Sequence, residues 1–346
     1  MPCYHPLIAT PSGRKRTAKD GHKYFQMQIF NPEEFELEQN DKYDQEYHFL
    51  IPCRQCIGCR LEYSREWANR GYLESKLWDQ NWFATLTYDE EHIPYKDEVV
   101  TSNEITFTDD GSWNGTLNPK HLTQFLKNLR QIMKREYDED NIRFMACGEY
   151  GGETERPHYH IILFNLNLPV EDLYNPRLIN HEVYYQSHII ERAWGKGICN
   201  ISEATWNTIA YTARYITKKI NGEISEDLYA SKGQEREFLR TSRMPGIGEG
   251  YYRKHWEEIY EKDEIIIKNK SGVISSKPPK YFDRLFEEEH PEEFEKIKKK
   301  RRERATIEQQ LKDKTTSVSR KVQAEIEERE KDEHTVRLIR AMETQW

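Results

Sequence analysis

Two histidines stand one residue apart in RPHYHIILF, the segment that covers residues 156–164. The apolar run after them indicates a strand, and side chains alternate between the two faces of a strand. His158 and His160 therefore point the same way, roughly 6–7 Å apart, and one divalent cation can take an imidazole nitrogen from each. An isolated H-x-H is a short pattern, and its commoner explanation is two half-buried histidines with hydrogen-bond partners.

A carboxylate precedes the pair, near the end of a second strand-like segment. That segment is IRFMACGEY, residues 142–150, and the loop GGETER leads from it toward the histidines. A hairpin of the two segments would place Glu149 beside the imidazoles. Two nitrogens and one carboxylate oxygen on one side of an ion leave positions open for substrate oxygens. Taken alone, Glu149 is equally typical of a surface carboxylate at a turn.

Two phenols and an ammonium recur at helical spacing in YTARYITKK, residues 211–219. Tyr211 and Tyr215 are four residues apart and Lys218 is three further on, so all three share one face of a helix. Ordinary amphipathic packing explains any one of them. As a set they suit transesterification at a phosphodiester, because a tyrosine hydroxyl can attack phosphorus once a cation or a metal lowers its pKa or orients the phosphate.

Cys53, Cys56 and Cys59 follow a C-x-x-C-x-x-C pattern within CRQCIGC. The spacing is typical of a thiolate site for zinc or for an iron–sulfur cluster, and we favour structural zinc. A closed zinc site needs a fourth ligand, for which Cys3 and His5 are the candidates. Three cysteines at helical spacing can also pack as small hydrophobic residues.

Composition limits the kind of protein that carries these groups. The chain has 346 residues, of which 32% are charged and 36% hydrophobic. No apolar stretch reaches the roughly eighteen residues of a membrane span, and the start lacks the apolar core of an export signal. We therefore expect a soluble protein with no membrane partner. In a reducing compartment its six cysteines favour metal binding or packing over disulfides.

The formal net charge of −8 argues against a nucleic-acid partner unless the basic residues are clustered. Locally basic stretches at 120–135, 213–219 and 231–243 allow a basic groove on an acidic body. Binding of single-stranded DNA needs cations for the phosphates and aromatic faces for the bases. The candidate cations are Lys120, Lys127, Arg130, Arg214 and Lys219, and the candidate stacking residues are Trp82, Trp113 and Trp206.

The elements that must position these groups follow from the hydrophobic pattern. We predict strands over 81–88, 142–150, 157–164 and 197–204, a hairpin within 95–117, and helices over 60–78, 118–135, 184–194 and 206–220. The helix at 118–135 has the plainest signal, an Asn N-cap followed by Pro at the first helical position. This order predicts an α+β fold with a central antiparallel sheet flanked by helices, and Cys147 and Cys199 fall in its core strands.

Four regions are predicted along the chain. Residues 1–80 form a Cys-rich N-terminal region, irregular apart from its helix, and residues 81–222 form the domain that holds the histidines and tyrosines. Residues 223–283 form an extension with a Gly-rich loop. Residues 284–346 are half charged, which is typical of solvated helices, a weak coiled coil or disorder, and nothing in them indicates chemistry.

Three of these segments resemble, in order, the three motifs of the histidine–hydrophobic–histidine (HUH) endonucleases that initiate rolling-circle replication. They are FATLTY, GEYGGETERPHYHIILF and YTARYITKK. The spacing Y-x-x-x-Y-x-x-K resembles the two-tyrosine class of small single-stranded DNA phages. The opening CYHPL and the later PCRQCIGCRLEYSREWANR are similar to the replication initiators of gokushovirus-like microviruses. The resemblance covers roughly residues 1–220 and does not reach the tail.

The resemblance implies an HUH-type fold and a metal-dependent nickase and strand transferase that acts on single-stranded origin DNA. Either Tyr211 or Tyr215 would cut the origin strand, keep its 5′ end as a phosphotyrosine and free a 3′-OH for synthesis. The other tyrosine would then cut the regenerated origin, and the strand would be rejoined into a circle. The resemblance also implies Mg²⁺ or Mn²⁺ at His158, His160 and Glu149, with Lys218 supplying positive charge.

The same resemblance implies a phage-encoded protein in the cytoplasm of a bacterial host, where the tail could recruit a host helicase or polymerase. Two other functions fit the same residues. An HUH transposase or relaxase would use this site on different DNA ends. A non-catalytic, zinc-containing DNA-binding regulator would need the histidines and tyrosines only as structural residues.

Overall fold

The computed structural model describes residues 3–17, 23–31, 49–95, 115–152, 154–179, 182–218, 229, 233–269 and 272–343. Side chains are described for these residues except 23–25, 215–218 and 338–343. The turns of the hairpin expected within 95–117 lie outside the described residues, as do Trp113 and Lys219. The side chains of Tyr215 and Lys218 also lie outside them.

The strands are β1 (Leu7–Thr17), β2 (Lys23–Phe30), β3 (Phe49–Ile51), β4 (Asn81–Thr87), β5 (Arg143–Tyr150), β6 (Pro157–Phe164), β7 (Leu173–Ile179), β8 (Glu182–Ser187), β9 (Cys199–Glu203), β10 (Phe238–Thr241), β11 (Ile265–Asn269) and β12 (Gly272–Ser276). The helices are α1 (Ile57–Ser75), α2 (Pro119–Tyr137), α3 (His188–Trp194), α4 (Trp206–Lys218), α5 (Glu249–Lys262), α6 (Lys280–Glu289), α7 (Pro291–Thr315) and α8 (Arg320–Glu343).

The chain divides into two compact units. The first comprises residues 1–62 and 316–338, and the second comprises residues 63–315 and 339–346. The first unit combines the Cys-rich start of the chain with part of the charged tail. The second contains the predicted histidine and tyrosine groups.

The first unit contains a three-stranded antiparallel sheet of order β2-β1-β3. The expectation of an irregular start was therefore wrong. The register between β1 and β2 shifts between Pro11 and Lys15. Such a bulge interrupts the two-residue alternation by which a strand is recognised in a sequence, which explains why the pattern of β1 was not visible.

The second unit is built on a seven-stranded sheet of order β10-β5-β6-β4-β9-β8-β7. All of its strand pairs are antiparallel, which confirms the predicted α+β class. Helices α2 and α3 pack on one face, where Tyr159 and Ile161 of β6 are fully buried. Helix α4 packs on the other face through Ile209, against Phe83 and Ile162. The interior strand β6 is thus covered on both sides.

Most of the predicted elements are present with bounds close to the expected ones. The strand at 157–164 coincides with β6, and α2 begins with Pro119 behind Asn118, whose side chain accepts a hydrogen bond from the Lys120 N–H. Helix α1 starts three residues earlier than expected, at Ile57, and ends at Ser75. Its earlier start places Cys59 within the first helical turn.

Residues 184–194 were expected to form one helix, and this expectation was wrong for the first four. Tyr184 to Ser187 complete β8, and the helix is limited to α3. The Ser187 hydroxyl accepts a hydrogen bond from the Ile190 N–H at 3.2 Å, so Ser187 is the N-cap. A capping serine marks the first residue of a helix more sharply than hydrophobic spacing does.

The end of the second unit has a separate hydrophobic core, formed by α5, α6, α7 and β11. Its buried side chains include Tyr252, Tyr260, Phe282, Phe286 and Phe294. Of the alternatives for the tail, the structure shows helices, and Phe286 and Phe294 give its beginning a packed rather than a solvated face. Among the helices in the described part of the chain, none combines the length and the apolar character needed to span a membrane.

Candidate active site and candidate metal centres

The hairpin of β5 and β6 brings Glu149, His158 and His160 together. Glu149 lies directly opposite His158 in the strand register. The Nε2 atoms of His158 and His160 are 2.7 and 2.8 Å from Glu149 Oε1. Side-chain exposure is 2% for both Glu149 and His160 and 17% for His158, so only one edge of the group reaches solvent. We call these three residues the carboxylate–histidine site.

The second nitrogen of each ring is held by a neighbouring strand. His158 Nδ1 donates a hydrogen bond to the carbonyl of Arg156 at 3.0 Å. His160 Nδ1 is paired with the buried hydroxyl of Thr85 at 3.0 Å, since Thr85 lies opposite His160 in the β4–β6 register. With both Nδ1 atoms engaged, both Nε2 atoms face Glu149. Partners of this kind orient metal-ligating histidines.

Sequence reasoning missed Thr85 as a part of the site. Thr85 and Phe83 are two residues apart in FATLTY and therefore share one face of a strand, but only the order and register of the strands place that face beside His160. Arg156 was missed for a different reason. It contributes through its backbone carbonyl, which the side-chain pattern does not report.

The carboxylate–histidine site fits a divalent cation. Its donor atoms all lie within 4.8 Å of one another. Glu149 Oε2 is buried and has no hydrogen-bond partner among the described residues, a costly arrangement unless a cation is bound. The two imidazole nitrogens favour Mn²⁺, and the carboxylate oxygen also suits Mg²⁺.

Electrostatics keep this carboxylate charged. Burial alone would raise the pKa of Glu149, but the charges and hydrogen bonds of His160 and His158 outweigh it and lower the pKa to about 2. Glu149 is therefore ionised at neutral pH, as a ligand for a cation must be.

Helix α4 places a phenol beside these ligands. The Tyr211 hydroxyl is 3.4 Å from His160 Nε2, and the two rings meet edge to face with centroids 5.0 Å apart. Phe83 stacks on His160 at 5.4 Å and meets Tyr211 edge-on at 6.0 Å. Tyr215 lies one helical turn further along α4, and Lys218 is its last residue. Of the two candidate nucleophiles, Tyr211 is the one whose side chain is described next to the site.

The candidate DNA-binding cations have different surroundings. Lys120 and Lys127 are exposed on α2. Arg130 instead donates two hydrogen bonds to the Ile142 carbonyl, at 3.2 and 2.7 Å, and thereby joins α2 to the start of β5. Arg214 is partly buried on α4. Lys120 and Lys127 are therefore better placed for a phosphate than Arg130.

The described candidate stacking residues are engaged in packing. Trp82 donates a hydrogen bond to the Leu166 carbonyl at 3.0 Å, and its ring meets Tyr185 edge-on. Trp206 meets Tyr72 edge-on at 5.7 Å. Both contacts resemble those of core residues more than those of an open stacking platform.

A second group of ligands lies in the first unit. The thiols of Cys3, Cys53, Cys56 and Cys59 are all free and lie within 4.8 Å of one another. The Sγ atoms of Cys3 and Cys56 are 3.9 Å apart, and those of Cys53 and Cys59 are 4.0 Å apart. These distances exceed a disulfide bond of about 2.05 Å and are close to the edge of a ZnS₄ tetrahedron, about 3.8 Å for Zn–S of about 2.3 Å. We call these residues the four-thiol site.

Backbone amides point at the sulfurs of the four-thiol site. Cys53 N–H donates to Cys3 Sγ at 3.2 Å, Tyr4 N–H to Cys56 Sγ at 3.4 Å, and Cys56 N–H to Cys53 Sγ at 3.3 Å. Burial would raise the pKa of Cys56, but hydrogen bonds, led by that from Tyr4, lower it to about 7. Burial instead raises the pKa of Cys3 and of Cys59, so the amides favour a thiolate at Cys56 in particular. One stabilised thiolate among four gathered sulfurs fits a metal site better than four packed thiols.

The fourth ligand was left open between Cys3 and His5, and of these two residues Cys3 lies with the other three thiols. The His5 side chain is 68% exposed, and its Nε2 pairs with Glu328 of α8 at 2.8 Å. Lys331 of α8 also contacts the Tyr4 hydroxyl. The residues next to Cys3 therefore hold the tail helix, whereas Cys3 itself completes the thiol group.

Residues 81–220 match the family model described as Replication-associated protein ORF2/G2P. The chain is 38% identical over 270 residues to Replication-associated protein ORF2 of Spiroplasma virus 4, which covers 75% of this chain and 77% of that protein. It is 31% identical over 268 residues to Replication-associated protein VP4 of Bdellovibrio phage phiMH2K, and the match covers 75% of this chain and 76% of that protein. It is 27% identical over 225 residues to Replication-associated protein ORF4 of Chlamydia phage 1, and the match covers 64% of this chain and 51% of that protein. No solved structure matches the chain.

Proposed function

This chain belongs to the family of microvirus replication-associated proteins, and on that premise we propose that it nicks and rejoins a DNA strand to initiate rolling-circle replication. The observation that carries the proposal is the Tyr211 hydroxyl, which lies 3.4 Å from His160 Nε2 of the carboxylate–histidine site. A phenol at a two-histidine, one-carboxylate site is suited to phosphodiester transesterification.

In the proposed first step, the Tyr211 oxygen attacks the scissile phosphorus. The P–O3′ bond breaks, so the 5′ phosphate becomes a phosphotyrosine and the 3′ oxygen leaves. The phenol releases its proton to solvent and the leaving oxygen takes one up, which yields the 3′-OH that primes synthesis. The phosphotyrosine conserves the energy of the broken bond for the later rejoining step.

His158, His160 and Glu149 would hold Mg²⁺ or Mn²⁺, which as a Lewis acid polarises a phosphoryl oxygen and lowers the pKa of a nearby hydroxyl. The chain's own residues set the geometry. Phe83 packs on both His160 and Tyr211 and so fixes the distance between ligand and nucleophile. Thr85 keeps the His160 ring in the orientation that presents Nε2.

Tyr215 is proposed as the second nucleophile, which would cut the regenerated origin before the strand is closed into a circle. It follows Tyr211 by one helical turn of α4, and Lys218 lies near it in the same helix, where it would supply positive charge to the phosphate. The resemblance to two-tyrosine initiators supports these two roles.

For the four-thiol site we propose a structural zinc ion. Four thiolates saturate a tetrahedral zinc and leave no position for a substrate. A cytoplasmic location in a bacterial host and the recruitment of a host helicase or polymerase stay predictions from the resemblance.

The decisive experiment is the formation of a covalent adduct between the protein and labelled, origin-like single-stranded DNA with Mn²⁺, resolved on a denaturing gel. Tyr211→Phe should lower the rate of the first cleavage by about 10³-fold or more, because the attacking oxygen is lost. Tyr137→Phe is the matched control, since Tyr137 is exposed at the end of α2 and should leave the rate unchanged.

Other variants separate the competing functions. His158→Ala/His160→Ala should abolish the adduct while the thermal transition of the protein stays near that of the wild type. An adduct in Tyr211→Phe/Tyr215→Phe would show that the nucleophile lies elsewhere. Absence of any adduct with every divalent metal tried would leave the DNA-binding regulator as the better explanation.

A further inference from the structure

Helix α7 carries the densest run of positive charge in the chain. In KIKKKRRER, residues 296–304, seven of nine residues are Lys or Arg and one is Glu. The sequence alone assigns no role to this run, because a charged helix is usually just solvated. The structure separates the cations that stabilise the fold from those that do not.

Two cations of the run point inward and are neutralised. The Arg301 guanidinium donates to Asp263 Oδ2 at 2.9 Å and to Asp283 Oδ2 at 2.7 Å. Lys298 pairs with Glu287 at 3.0 Å and lies 5.2 Å from the centre of the Phe294 ring, which is buried. These contacts fix the rotation of α7 about its axis.

With that rotation fixed, the remaining cations lie on the outer side of the helix. They are Lys296, Lys299, Lys300, Arg302 and Arg304, all exposed, and we call them the basic stripe. Lys296, Lys299 and Arg302 follow at three-residue spacing, so they line one face.

The basic stripe keeps a net positive charge. Among the residues that the structure describes, no ion pair involves Lys296, Lys299, Lys300 or Arg304. Arg302 reaches only Glu295, at 3.8 Å, and Glu295 also pairs with Lys298. Four exposed carboxylates of α7, Glu292, Glu293, Glu295 and Glu303, lie on the same side as these five cations, and the two at 292 and 293 lie in the first turn, before the run begins.

We propose that the basic stripe binds the phosphate backbone of DNA without regard to sequence. The choice of DNA as the polyanion rests on the proposed function, whereas the presence of an unneutralised cationic face does not. The chain has a net charge of −8, so its overall field repels DNA and a local cluster is needed for contact. Residues 295–306 include no aromatic residue, so the contact lacks base stacking and is electrostatic only.

Such a contact has a consequence for the reaction. A strand held by the basic stripe is kept at a high local concentration around the chain that cuts it. Between the first cleavage and the rejoining step, the covalent bond holds the DNA only at its 5′ end. The basic stripe would keep the rest of the strand near the protein during this interval.

The test measures binding of a fluorescent single-stranded oligonucleotide without origin sequence, by anisotropy over a range of salt, in buffer without added Mg²⁺ or Mn²⁺ so that no cleavage occurs and the zinc is retained. The stripe variant is K296Q/K299Q/R302Q. The control is K254Q/K268Q/K314Q, which removes the same charge from exposed lysines dispersed over the same unit. The slope of log K against log salt should fall by about 2 in the stripe variant, at about 0.7 per lost phosphate contact, and stay unchanged in the control.

Equal slopes in the stripe variant, the control and the wild type would overturn the proposal. So would a stripe variant that loses affinity for an origin oligonucleotide, measured in the same way, but keeps its affinity for the oligonucleotide without origin sequence. If circular dichroism shows the triple variant to be unfolded, K296Q/K299Q replaces it, with an expected slope change of about 1.4. The adduct assay of the wild type is read separately. No adduct together with a reduced slope refutes nicking alone, whereas an adduct together with unchanged slopes refutes the stripe alone.

Discussion

The four-thiol site and the carboxylate–histidine site both gather ligand atoms within 4.8 Å, yet they are built in opposite ways. The four-thiol site takes its ligands from the segment before β1 and from the entry to α1, and backbone amides satisfy its sulfurs. The carboxylate–histidine site takes its ligands from two paired strands, and a hydroxyl and a carbonyl orient its rings.

This difference underlies the two proposed roles, a structural metal centre for the four-thiol site and a catalytic one for the carboxylate–histidine site. Four anionic sulfurs fill the coordination sphere of a zinc ion and link distant parts of the chain, so zinc binding is expected to stabilise the fold. Two imidazoles and one carboxylate leave coordination positions free, and a phenol lies beside them.

The largest expected effect is on the stability of the first unit. Cys3→Ser should remove a large part of the roughly 10–16 kcal/mol with which structural zinc stabilises small domains. His5→Ala should leave the metal in place, because His5 pairs with Glu328 and not with the thiols. Metal analysis should find about one zinc per wild-type chain, and hydrogen exchange of residues 3–17 and 49–62 should rise only in Cys3→Ser.

Release of zinc by His5→Ala but not by Cys3→Ser would contradict the ligand set. Iron in place of zinc would overturn the metal assignment while leaving the thiol geometry intact.

The next effect is on metal affinity in the second unit. Glu149→Gln should weaken Mn²⁺ binding by more than about 100-fold, because a neutral amide replaces the only anionic ligand of the carboxylate–histidine site. Titration calorimetry measures the affinity, and the zinc content serves as the internal control, since it should not change. A parallel loss of zinc would mean that the two centres are not independent.

A smaller effect on Mn²⁺ affinity is expected from Thr85, which contacts a proposed metal ligand and not the metal itself. Thr85→Val keeps the shape of the side chain but removes the partner of His160 Nδ1, and we expect Mn²⁺ affinity to fall about 10- to 100-fold. Thr85→Ser should restore most of it. Thr87→Val is the matched control, because Thr87 lies two residues along β4 and its hydroxyl donates to the Ile198 carbonyl instead.

The nitrogen chemical shifts of His160 provide a readout beyond affinity. With Mg²⁺ bound, the ring of the wild type should carry its proton on Nδ1, and Thr85→Val should show a mixture of the two tautomers. Unchanged affinity and unchanged shifts in Thr85→Val would remove Thr85 from the positioning role.

The smallest effect concerns the surface around the four-thiol site. Glu328→Ala breaks the pair with His5, and because the His5 ring is largely exposed we expect a loss of at most about 1 kcal/mol in the free energy of unfolding. Glu325→Ala, at an exposed position of the same helix, should cost nothing measurable. A loss of several kcal/mol in Glu328→Ala would show that the tail helix contributes to metal retention.

Much of the local structure follows from the sequence. The apolar run in 157–164 predicted the strand, and the two-residue period of a strand predicted the shared direction of His158 and His160. The Asn–Pro start of α2 predicted its first turn. These features depend on residues within a few positions of one another. Where a polar cap or a bulge interrupted the pattern, as at Ser187 and between Pro11 and Lys15, the prediction was wrong.

The sequence by itself determined which chemical groups this protein has and which of them share a face of a strand or helix. Only the tertiary structure decided which groups meet. Cys3 rather than His5 joins Cys53 across 50 positions, and Thr85 reaches His160 across 75. The order of seven strands brings Thr85 to His160, and the packed inner face of α7 turns the basic stripe outward. Such contacts depend on the packing of distant segments, whereas spacing along the chain reports only on near neighbours.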